Sequence, residues 1–223
     1  MKKALIVLSG GQDSTTCLAL VKKQFDNIFS ITFDYGQKNF IEIEQAKKIS
    51  KIFGIKNKVI KMDFFSMLNS SALINHNLQI NSKIKIRQND LSASYVPNRN
   101  AIFLSTAHAF AQNENINNII LGTTKIDANE HPDSNKKFIY ALNDLLNMGS
   151  YQDIKLHTPL IESSKVEVFE IAKKQNILDL IIEHTHTCYQ NNRTKKLQWG
   201  YGCGECPSCL IRKKAWEEFN NKL

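Results

Sequence analysis

Two groups of residues in this chain have the types and spacing that chemistry requires, and they lie near opposite ends of the sequence. The first is Ser9-Gly10-Gly11-Gln12-Asp13-Ser14, which follows a short apolar run. Two adjacent glycines allow a tight turn with exposed backbone N–H groups, and the start of a following helix attracts anions. The segment predicts an anion-binding loop. The alternative is a glycine-rich turn in which an Asp or Ser only caps a helix.

The second group is a set of four cysteines. Cys203, Cys206 and Cys209 form a C-x₂-C-x₂-C motif, and Cys188 precedes it by fifteen positions. Four thiolates at this spacing predict a closed, structural zinc site. An iron–sulfur cluster is the competing interpretation, because the bacterial ferredoxin motif begins in the same way, but Lys213 stands where its fourth cysteine would be.

Other residues near the cysteines have more than one interpretation. His184 and His186 could replace a thiol as metal ligands, or they could belong to a loop or face a substrate. Cys17 lies apart from the cluster and is expected to be a small buried apolar residue. The excess negative charge of a four-thiolate site could be offset by four nearby basic residues: Arg193, Lys195, Lys196 and Arg212.

The composition indicates a globular protein with one core. The chain has 223 residues, of which 42% are hydrophobic and 22% charged, which excludes a disordered or fibrous protein. The net charge of +8 favours anionic partners, or reflects a scattered basic surface.

The first apolar run is shorter than the about 7–15 residues of an export signal, and no run approaches the ~18 residues of a membrane helix. An odd number of cysteines argues against a disulfide framework. We expect a cytoplasmic protein without membrane association.

The apolar pattern predicts strands that alternate with helices, and hence an α/β fold. This order implies a Rossmann-like parallel sheet with helices on both faces, followed by a small C-terminal zinc-binding subdomain. The predicted domains are residues 1–180 and 181–223, packed on the same core. Residues 69–95 predict a long loop, either mobile or a substrate lid. The predicted strands are 4–8, 28–33, 58–62, 118–122 and 154–157, and the predicted helices are 14–24, 41–53, 100–113, 136–147 and 166–174.

Ligands of such a sheet bind beyond the carboxyl ends of its strands, where the anion loop is expected. The loop matches neither G-x-x-x-x-G-K-[ST] nor G-x-G-x-x-G, the two common nucleotide-binding motifs. Its S-G-G-x-D-S form resembles the loop of the N-type ATP pyrophosphatases. These enzymes transfer AMP to a substrate and release pyrophosphate, whose charge must be neutralised by hydrogen-bond donors and Mg²⁺. Asp13 could bind that metal, orient the loop, or cap the helix.

Six motifs together are similar to the 7-cyano-7-deazaguanine synthase family of this superfamily, in the same order and over nearly the whole chain. They are S-G-G-Q-D-S-T-T-C at 9–17, F-D-Y-G-Q-K at 33–38, Y-V-P-N-R-N at 95–100, P-L at 159–160 with Ser164-Lys165, H-T-C-Y at 186–189 and C-G-E-C-P-S-C-L-x-R at 203–212. The resemblance implies an adenine nucleotide alpha hydrolase-like fold and a ligase. That ligase would convert 7-carboxy-7-deazaguanine, ammonia and ATP to the nitrile, AMP and pyrophosphate, by adenylating first the carboxylate and then the amide. It also implies one zinc per chain and a homodimer.

The resemblance also implies roles for individual residues. Zinc is assigned to Cys188, Cys203, Cys206 and Cys209. Arg99 would contact a phosphate or the substrate carboxylate, and Lys165 would contact phosphate; with Asp13 and Ser14 they form the catalytic set. A surface arginine and a solvated lysine are the alternatives. ATP with Mg²⁺ would bind along residues 8–18, which are Leu8, Ser9, Gly10, Gly11, Gln12, Asp13, Ser14, Thr15, Thr16, Cys17 and Leu18.

One segment departs from the family pattern. Where the family has D-x-S-G-Y-P-D-C-R, residues 127–135 keep Asp127, Pro132 and Asp133 but lack the Ser-Gly-Tyr, the Cys and the basic residue. Asp127 and Asp133 are the expected substrate-binding residues. The departure concerns recognition of the deazapurine and leaves the ATP and zinc motifs intact.

Three other functions remain open from the sequence. The enzyme could act on a related deazapurine carboxylate. It could be a tRNA thiolation enzyme of the same superfamily, although that requires a reactive thiol and only Cys17 is spare. A non-enzymatic zinc-knuckle nucleic-acid binder would fit the basic balance but leaves the anion loop unexplained. We expect no direct nucleic-acid binding.

Overall fold

The fold is built on a five-stranded parallel sheet. The computed structural model describes residues 1–68, 71–75, 77–78 and 93–222. The strands are β1 (Lys3–Val7), β2 (Asn27–Asp34), β3 (Lys56–Lys61), β4 (Asn118–Leu121) and β5 (Lys155–His157). Their order in the sheet is β3-β2-β1-β4-β5, and all neighbours are parallel. The chain therefore builds the sheet outward from β1 in one direction and then returns to the other side of β1.

Eight helices connect and cover the sheet in the described part of the chain. They are α1 (Gln12–Val21), α2 (Ile41–Ile52), α3 (Arg99–Asn113), α4 (Lys125–Glu130), α5 (Lys136–Met148), α6 (Lys165–Lys174), α7 (Leu178–His184) and α8 (Pro207–Asn220). Short 3₁₀ helices span Asp63–Met67 and Pro132–Ser134, and a small antiparallel hairpin joins β6 (Lys196–Leu197) to β7 (Gly200–Tyr201). No helix among these is both long and apolar enough to cross a membrane.

The side chains of β1 alternate between two hydrophobic clusters, one on each face of the sheet. Leu5 and Val7 pack with residues of α3 and α5, whereas Ala4 and Ile6 pack with residues of α1, α2 and α6. A strand that is buried on both faces consists almost entirely of apolar residues. This explains why the run at 4–8 has no polar positions, and it confirms the predicted α/β class.

A third cluster joins the cysteine region to α6. It contains Phe169 of α6, Ile181 of α7, Trp216 and Phe219 of α8, and three of the clustered cysteines. Phe169 contacts Trp216 edge-on, with ring centroids 5.2 Å apart. The C-terminal region thus shares α6 with the sheet. The predicted boundary between residues 180 and 181 falls within α7, and the division into two domains stays a prediction.

All five predicted strands and all five predicted helices are present, with ends that differ by a few residues. α1 begins at Gln12, two residues earlier than predicted, and ends at Val21, where a turn closes from Gln24 N–H to the Val21 carbonyl. The prediction missed α4, α7 and α8. The predicted long loop at 69–95 lies largely outside the described residues; its described parts are joined by a 2.9 Å hydrogen bond from Ala72 N–H to the Ala93 carbonyl.

Candidate active site

A cleft of about 270 Å³ opens beyond the carboxyl ends of β1 and β4. This is where the order of the strands reverses, the usual position of a ligand site in an open parallel sheet. The predicted loop lines it through Leu8, Ser9 and residues 11–14, while Cys17 and Leu18 are fully buried in the core. Arg99, Asp127 and Lys165 line the same cleft. Four segments far apart in the sequence thus meet at one place.

Hydrogen bonds between its own residues hold the anion loop in shape. The Ser9 N–H donates to Ser14 Oγ at 3.2 Å, and the Gly11 N–H donates to Ser9 Oγ at 3.2 Å. Thr15 Oγ1 donates to the Gly11 carbonyl at 2.7 Å. These bonds close a compact turn at the start of α1, the end of a helix that favours anions.

Gly10 is required by both its conformation and its surroundings. Its φ is +86°, and a Cβ there would lie 2.1 Å from the Glu42 carbonyl oxygen of α2. A Cβ on Gly122, at the end of β4, would lie 2.7 Å from Ser14 Cα. The loop is therefore packed against backbone on two sides, which only glycine permits.

Lys165 joins two carboxylates at the edge of the loop. Its Nζ lies 2.8 Å from Asp13 Oδ2 and 3.3 Å from Asp127 Oδ2. Burial opposes the charge of Lys165, but the two carboxylates outweigh it and raise the pKa of the ammonium. Burial raises the pKa of Asp13, and Lys165 only partly counteracts this. Burial also acts on Asp127, but Lys165 and hydrogen bonds from Thr124 prevail and lower its pKa.

Asp127 has a second task, at the start of α4. Its Oδ2 accepts hydrogen bonds from the Thr124 N–H at 2.9 Å and from Thr124 Oγ1 at 2.6 Å, which completes a capping box. Asp13 Oδ1, by contrast, is buried and has no hydrogen-bond partner. A buried carboxylate oxygen at the mouth of an anion loop fits a bound cation, as Mg²⁺ prefers oxygen ligands.

Arg99 and Asp133 lie on the other side of the cleft. Arg99 Nη1 donates to the Tyr35 hydroxyl at 3.3 Å. Burial opposes the charge of Arg99, but the Tyr35 hydroxyl and the Asp133 carboxylate outweigh it and raise its pKa. Asp133 is buried, and its Oδ2 accepts the Asn100 N–H at 2.8 Å, so it caps α3. Unlike Arg99, Asp133 is not among the residues that line the cleft.

The segment that departs from the family pattern forms part of the wall. His131 lines the cleft and lies parallel to the Tyr95 ring, with an interplanar angle of 18° and centroids 6.1 Å apart. Burial, and then the charge of Arg99, lowers the pKa of His131 to about 4. The ring is therefore neutral at pH 7, and it offers a flat surface next to the cleft.

Sequence reasoning did not identify Glu42 as a residue of the site. Its carboxylate lines the cleft and accepts hydrogen bonds from Gln37 Nε2 at 3.0 Å and Asn39 Nδ2 at 2.7 Å. Burial raises its pKa to about 7. No local motif marks Glu42, since it reaches the cleft only because α2 packs on Gly10.

The four predicted cysteines come together. Their Sγ atoms all lie within 4.8 Å of one another, and the Cys203–Cys209 pair is 3.8 Å apart. A tetrahedral zinc site with bonds of about 2.3 Å has sulfur atoms about 3.8 Å apart, so the thiols fit such an ion. The N–H groups of Glu205 and Cys206 point to Cys203 Sγ at 3.4 and 3.3 Å. Neither His184 nor His186 belongs to the cluster.

The remaining cysteine is unsuited to nucleophilic chemistry. Cys17 is fully buried, and this burial, reinforced by the negative charge of Asp13, raises the pKa of its thiol. A thiolate is the reactive form of cysteine. The predicted buried, apolar role of Cys17 is confirmed, and the tRNA thiolation alternative loses its spare reactive thiol.

The cysteine cluster contacts the anion loop through residues 186–188. The His186 N–H donates to the Gly10 carbonyl at 3.0 Å, and Ser208 Oγ of α8 donates to the Thr187 carbonyl at 2.6 Å. The ring of His186 is buried, lines the cleft and has no hydrogen-bond partner on either nitrogen. The cysteine region therefore forms one wall of the candidate active site.

The family model and the curated relatives match nearly the whole chain. The family model described as queuosine biosynthesis protein QueC matches residues 3–220. A 7-cyano-7-deazaguanine synthase of Wolinella succinogenes is 44% identical over 99% of this chain and 94% of its own length. One of Helicobacter pylori strain HPAG1 is 41% identical over 98% of this chain and 96% of its length. Among solved structures, an NMN synthetase of Francisella tularensis gives a TM-score of 0.49 at 18% identity, covering 80% of this chain and 63% of that one.

The Lys165 ion pairs predict a pH-dependent contribution to stability. Lys165→Met leaves two carboxylates close together, and we expect it to lower the free energy of unfolding by about 2 kcal/mol at pH 7.5. The pKa of Asp127 is lowered in the folded state, so the stabilisation is present above 3.8, its ordinary pKa, and is lost as the pH falls further. The difference between the two proteins should therefore be smaller at pH 3, which lies below that value, than at pH 7.5. Urea unfolding at both pH values measures it.

Lys136→Met is the matched control, because Lys136 pairs with Glu162 on an exposed surface. Its effect should stay below about 0.5 kcal/mol. Equal effects of the two substitutions would contradict a stabilising role for Lys165.

Proposed function

This chain belongs to the family of queuosine biosynthesis protein QueC, and from that membership we propose that it converts 7-carboxy-7-deazaguanine and ammonia to 7-cyano-7-deazaguanine, using ATP and releasing AMP and pyrophosphate. The observation that carries the proposal is the anion loop at the reversal point of the sheet, with Lys165 and Arg99 in the same cleft. A leaving pyrophosphate needs donors and cations at such a position.

The first half of the reaction makes a carboxylate reactive. A carboxylate oxygen of the substrate attacks the α-phosphorus of ATP, the α–β phosphoanhydride bond breaks, and pyrophosphate leaves with the electron pair. Ammonia then adds to the acyl adenylate, and AMP leaves as a proton is lost, which gives the amide. The loop residues Ser9–Ser14 would hold the pyrophosphate, and Arg99, with its planar fork of donors, would orient the carboxylate.

The second half repeats the activation on the amide. The amide oxygen attacks the α-phosphorus of a second ATP, the α–β phosphoanhydride bond breaks, and a second pyrophosphate leaves. Loss of AMP and of the two N–H protons then forms the nitrile. Asp13, through its unpartnered Oδ1, would hold Mg²⁺, which neutralises phosphate charge when bound. Lys165 would keep Asp13 in position while it supplies positive charge of its own.

The deazapurine ring would lie between Arg99 and His131. Asp127 and Asp133 are the proposed substrate-binding residues. Each oxygen of an ionised carboxylate has two acceptor sites, so Asp133, although it does not line the cleft in this structure, keeps acceptor capacity for a guanine-like N–H and amino group besides its bonds from Asn100. Asp133 would also act indirectly, by fixing the start of α3 and hence Arg99. The flat ring of His131 would take the place of the tyrosine expected there.

A direct assay tests the proposed reaction. Purified protein is incubated with ATP, Mg²⁺, ammonium and 7-carboxy-7-deazaguanine, and the products are identified by mass spectrometry. We expect the nitrile, AMP and pyrophosphate, and loss of most activity in Ser14→Ala, whose hydroxyl shapes the loop. Ser105→Ala, which removes a hydroxyl bonded only within α3, should keep full activity.

Two results of this assay would overturn the proposal. Stoichiometric ADP would exclude a pyrophosphatase mechanism. ATP turnover that does not depend on the carboxylated deazaguanine would mean that the chain activates a different substrate, such as a related deazapurine carboxylate.

We also propose that the cysteine cluster binds one zinc ion per chain, which cross-links the C-terminal region. Cys206→Ala should lose the metal and lower the melting temperature, because binding of a structural metal contributes directly to folding. Cys17→Ala, which removes a buried thiol outside the cluster, should keep the metal. Elemental analysis of both variants measures this. A coloured protein that contains iron and sulfide would contradict the assignment to zinc.

A homodimer is the proposed assembly, and α5 offers a surface for it. Leu145 and Met148 are exposed on this helix, and Tyr151 is exposed just after it. Clustered exposed apolar residues often mark a protein interface. Leu145→Asp should convert a dimer to a monomer in light scattering, whereas Met67→Asp, at an exposed residue after β3, should not. A wild-type protein that is monomeric at micromolar concentration would contradict the proposal.

The proposed location is the cytoplasm, where ATP is available and thiols stay reduced. Fractionation of cells that express the protein tests this, and its recovery from an oxidising compartment would contradict it.

A further inference from the structure

Arg212 is a buried cation that forms no ion pair within the described part of the structure. It lies on α8, three residues after Cys209, and only 3% of its surface is exposed. Nη2 donates to the Ile181 carbonyl at 3.0 Å, and Nη1 approaches Thr187 Oγ1 at 3.4 Å. Nε is buried and has no hydrogen-bond partner. Within the described residues, no carboxylate lies within ion-pair distance of the guanidinium.

The guanidinium keeps its charge in this environment. Burial lowers the pKa of Arg212 to about 10, so the group is fully protonated at pH 7. The guanidinium packs directly against Gly200, where a Cβ would lie only 2.8 Å from Nη2, so a larger residue at this position would clash with it. A buried charge without a partner is costly, and such groups are normally paired with an opposite charge. The arrangement therefore calls for an anion from outside the chain.

The position of Arg212 indicates which anion this is. Arg212 lines the same cleft as the anion loop, and its partner Thr187 reaches Gly11, where a Cβ would lie 3.7 Å from Thr187 Cγ2. Asp13 of the loop is close enough for its charge to affect Arg212. We propose that Arg212 binds the pyrophosphate part of ATP, so that the cysteine cluster, through α8, holds a phosphate-binding residue in the active site. This inference rests on the proposed function.

A second explanation gives Arg212 a purely structural role. Its charge could instead compensate the negative cysteine cluster, because Cys209 is also a charged neighbour. Arg193 provides a control for that role. It is a partly buried arginine of the same region that donates to the backbone carbonyls of Glu183 and Thr185, but it does not line the cleft.

Binding measurements on the metal-loaded protein separate these roles. With Mg²⁺ present, Arg212→Gln should weaken the binding of ATP and of inorganic pyrophosphate by at least about tenfold, because charge-assisted hydrogen bonds are lost. AMP binding should change by less than about threefold. Arg212→Lys should recover part of the pyrophosphate affinity, and Arg193→Gln should leave it unchanged. Calorimetry gives the affinities, and elemental analysis gives the metal content of each variant.

The outcomes distinguish this inference from the proposed function. A wild-type protein that binds neither ATP nor pyrophosphate would refute the proposed function itself. If the wild type binds both and Arg212→Gln binds them equally well, or loses only its metal, the inference is wrong while the proposed function stands.

If Arg212→Gln does not fold, NMR of the wild-type protein decides the question. The chain has only four arginines, at 87, 99, 193 and 212, so their Nε–H signals can be assigned by single substitutions and elimination. Addition of pyrophosphate should shift the Arg212 signal and leave the Arg193 signal in place. An Arg212 signal that does not respond at saturating pyrophosphate would overturn the inference.

Discussion

The ammonium of Lys165 between Asp13 and Asp127 is the interaction on which the rest of the site depends. It ties the first residue of α6 to the first turns of α1 and α4, three helices that come from distant parts of the sequence. Each of the three groups loses contact with water in the fold, and each is tolerated because the others are there. The same contacts set the position of the anion loop relative to the substrate side of the cleft. A change at any one of the three groups therefore affects the other two.

The C-terminal region forms part of the candidate active site, in addition to packing against the rest of the fold. Residues 186–188 bind the loop backbone on one side and supply a cysteine to the cluster on the other. α8 packs on α6, the helix that carries Lys165. Two routes thus connect the cluster to the anion loop, one through Thr187 and one through α6. This arrangement gives a physical reason why four cysteines that could hold a structural metal lie beside the cleft.

Local sequence patterns predicted the strands, most helices and the two motifs, but not the contacts between distant segments. The strands and long helices could be predicted because their apolar residues repeat with a clear period, and the loop and the cysteines because each motif is short and specific. α7 has only seven residues, and the cysteines interrupt the apolar pattern at the start of α8. Neither helix could therefore be predicted from the spacing of apolar residues. The sequence indicates Arg212 as a counter-charge for the cysteines and not as a residue of the cleft. Its place in the cleft, like that of Glu42, follows from packing that no spacing in the sequence encodes.

The hydrogen bond from His186 to the Gly10 carbonyl has a consequence for the order of folding. It joins a residue near the start of the chain to one near its end. Forming this bond therefore closes a loop that contains most of the chain, which costs more conformational entropy than closing a short one. The pairing of β1 with β2 is much more local and can form first. The cleft therefore depends on a contact between the two ends of the chain, whereas the pairing of β1 with β2 depends only on the first 34 residues. A chain that lacks its C-terminal region would lose one wall of the cleft even if these two strands still paired.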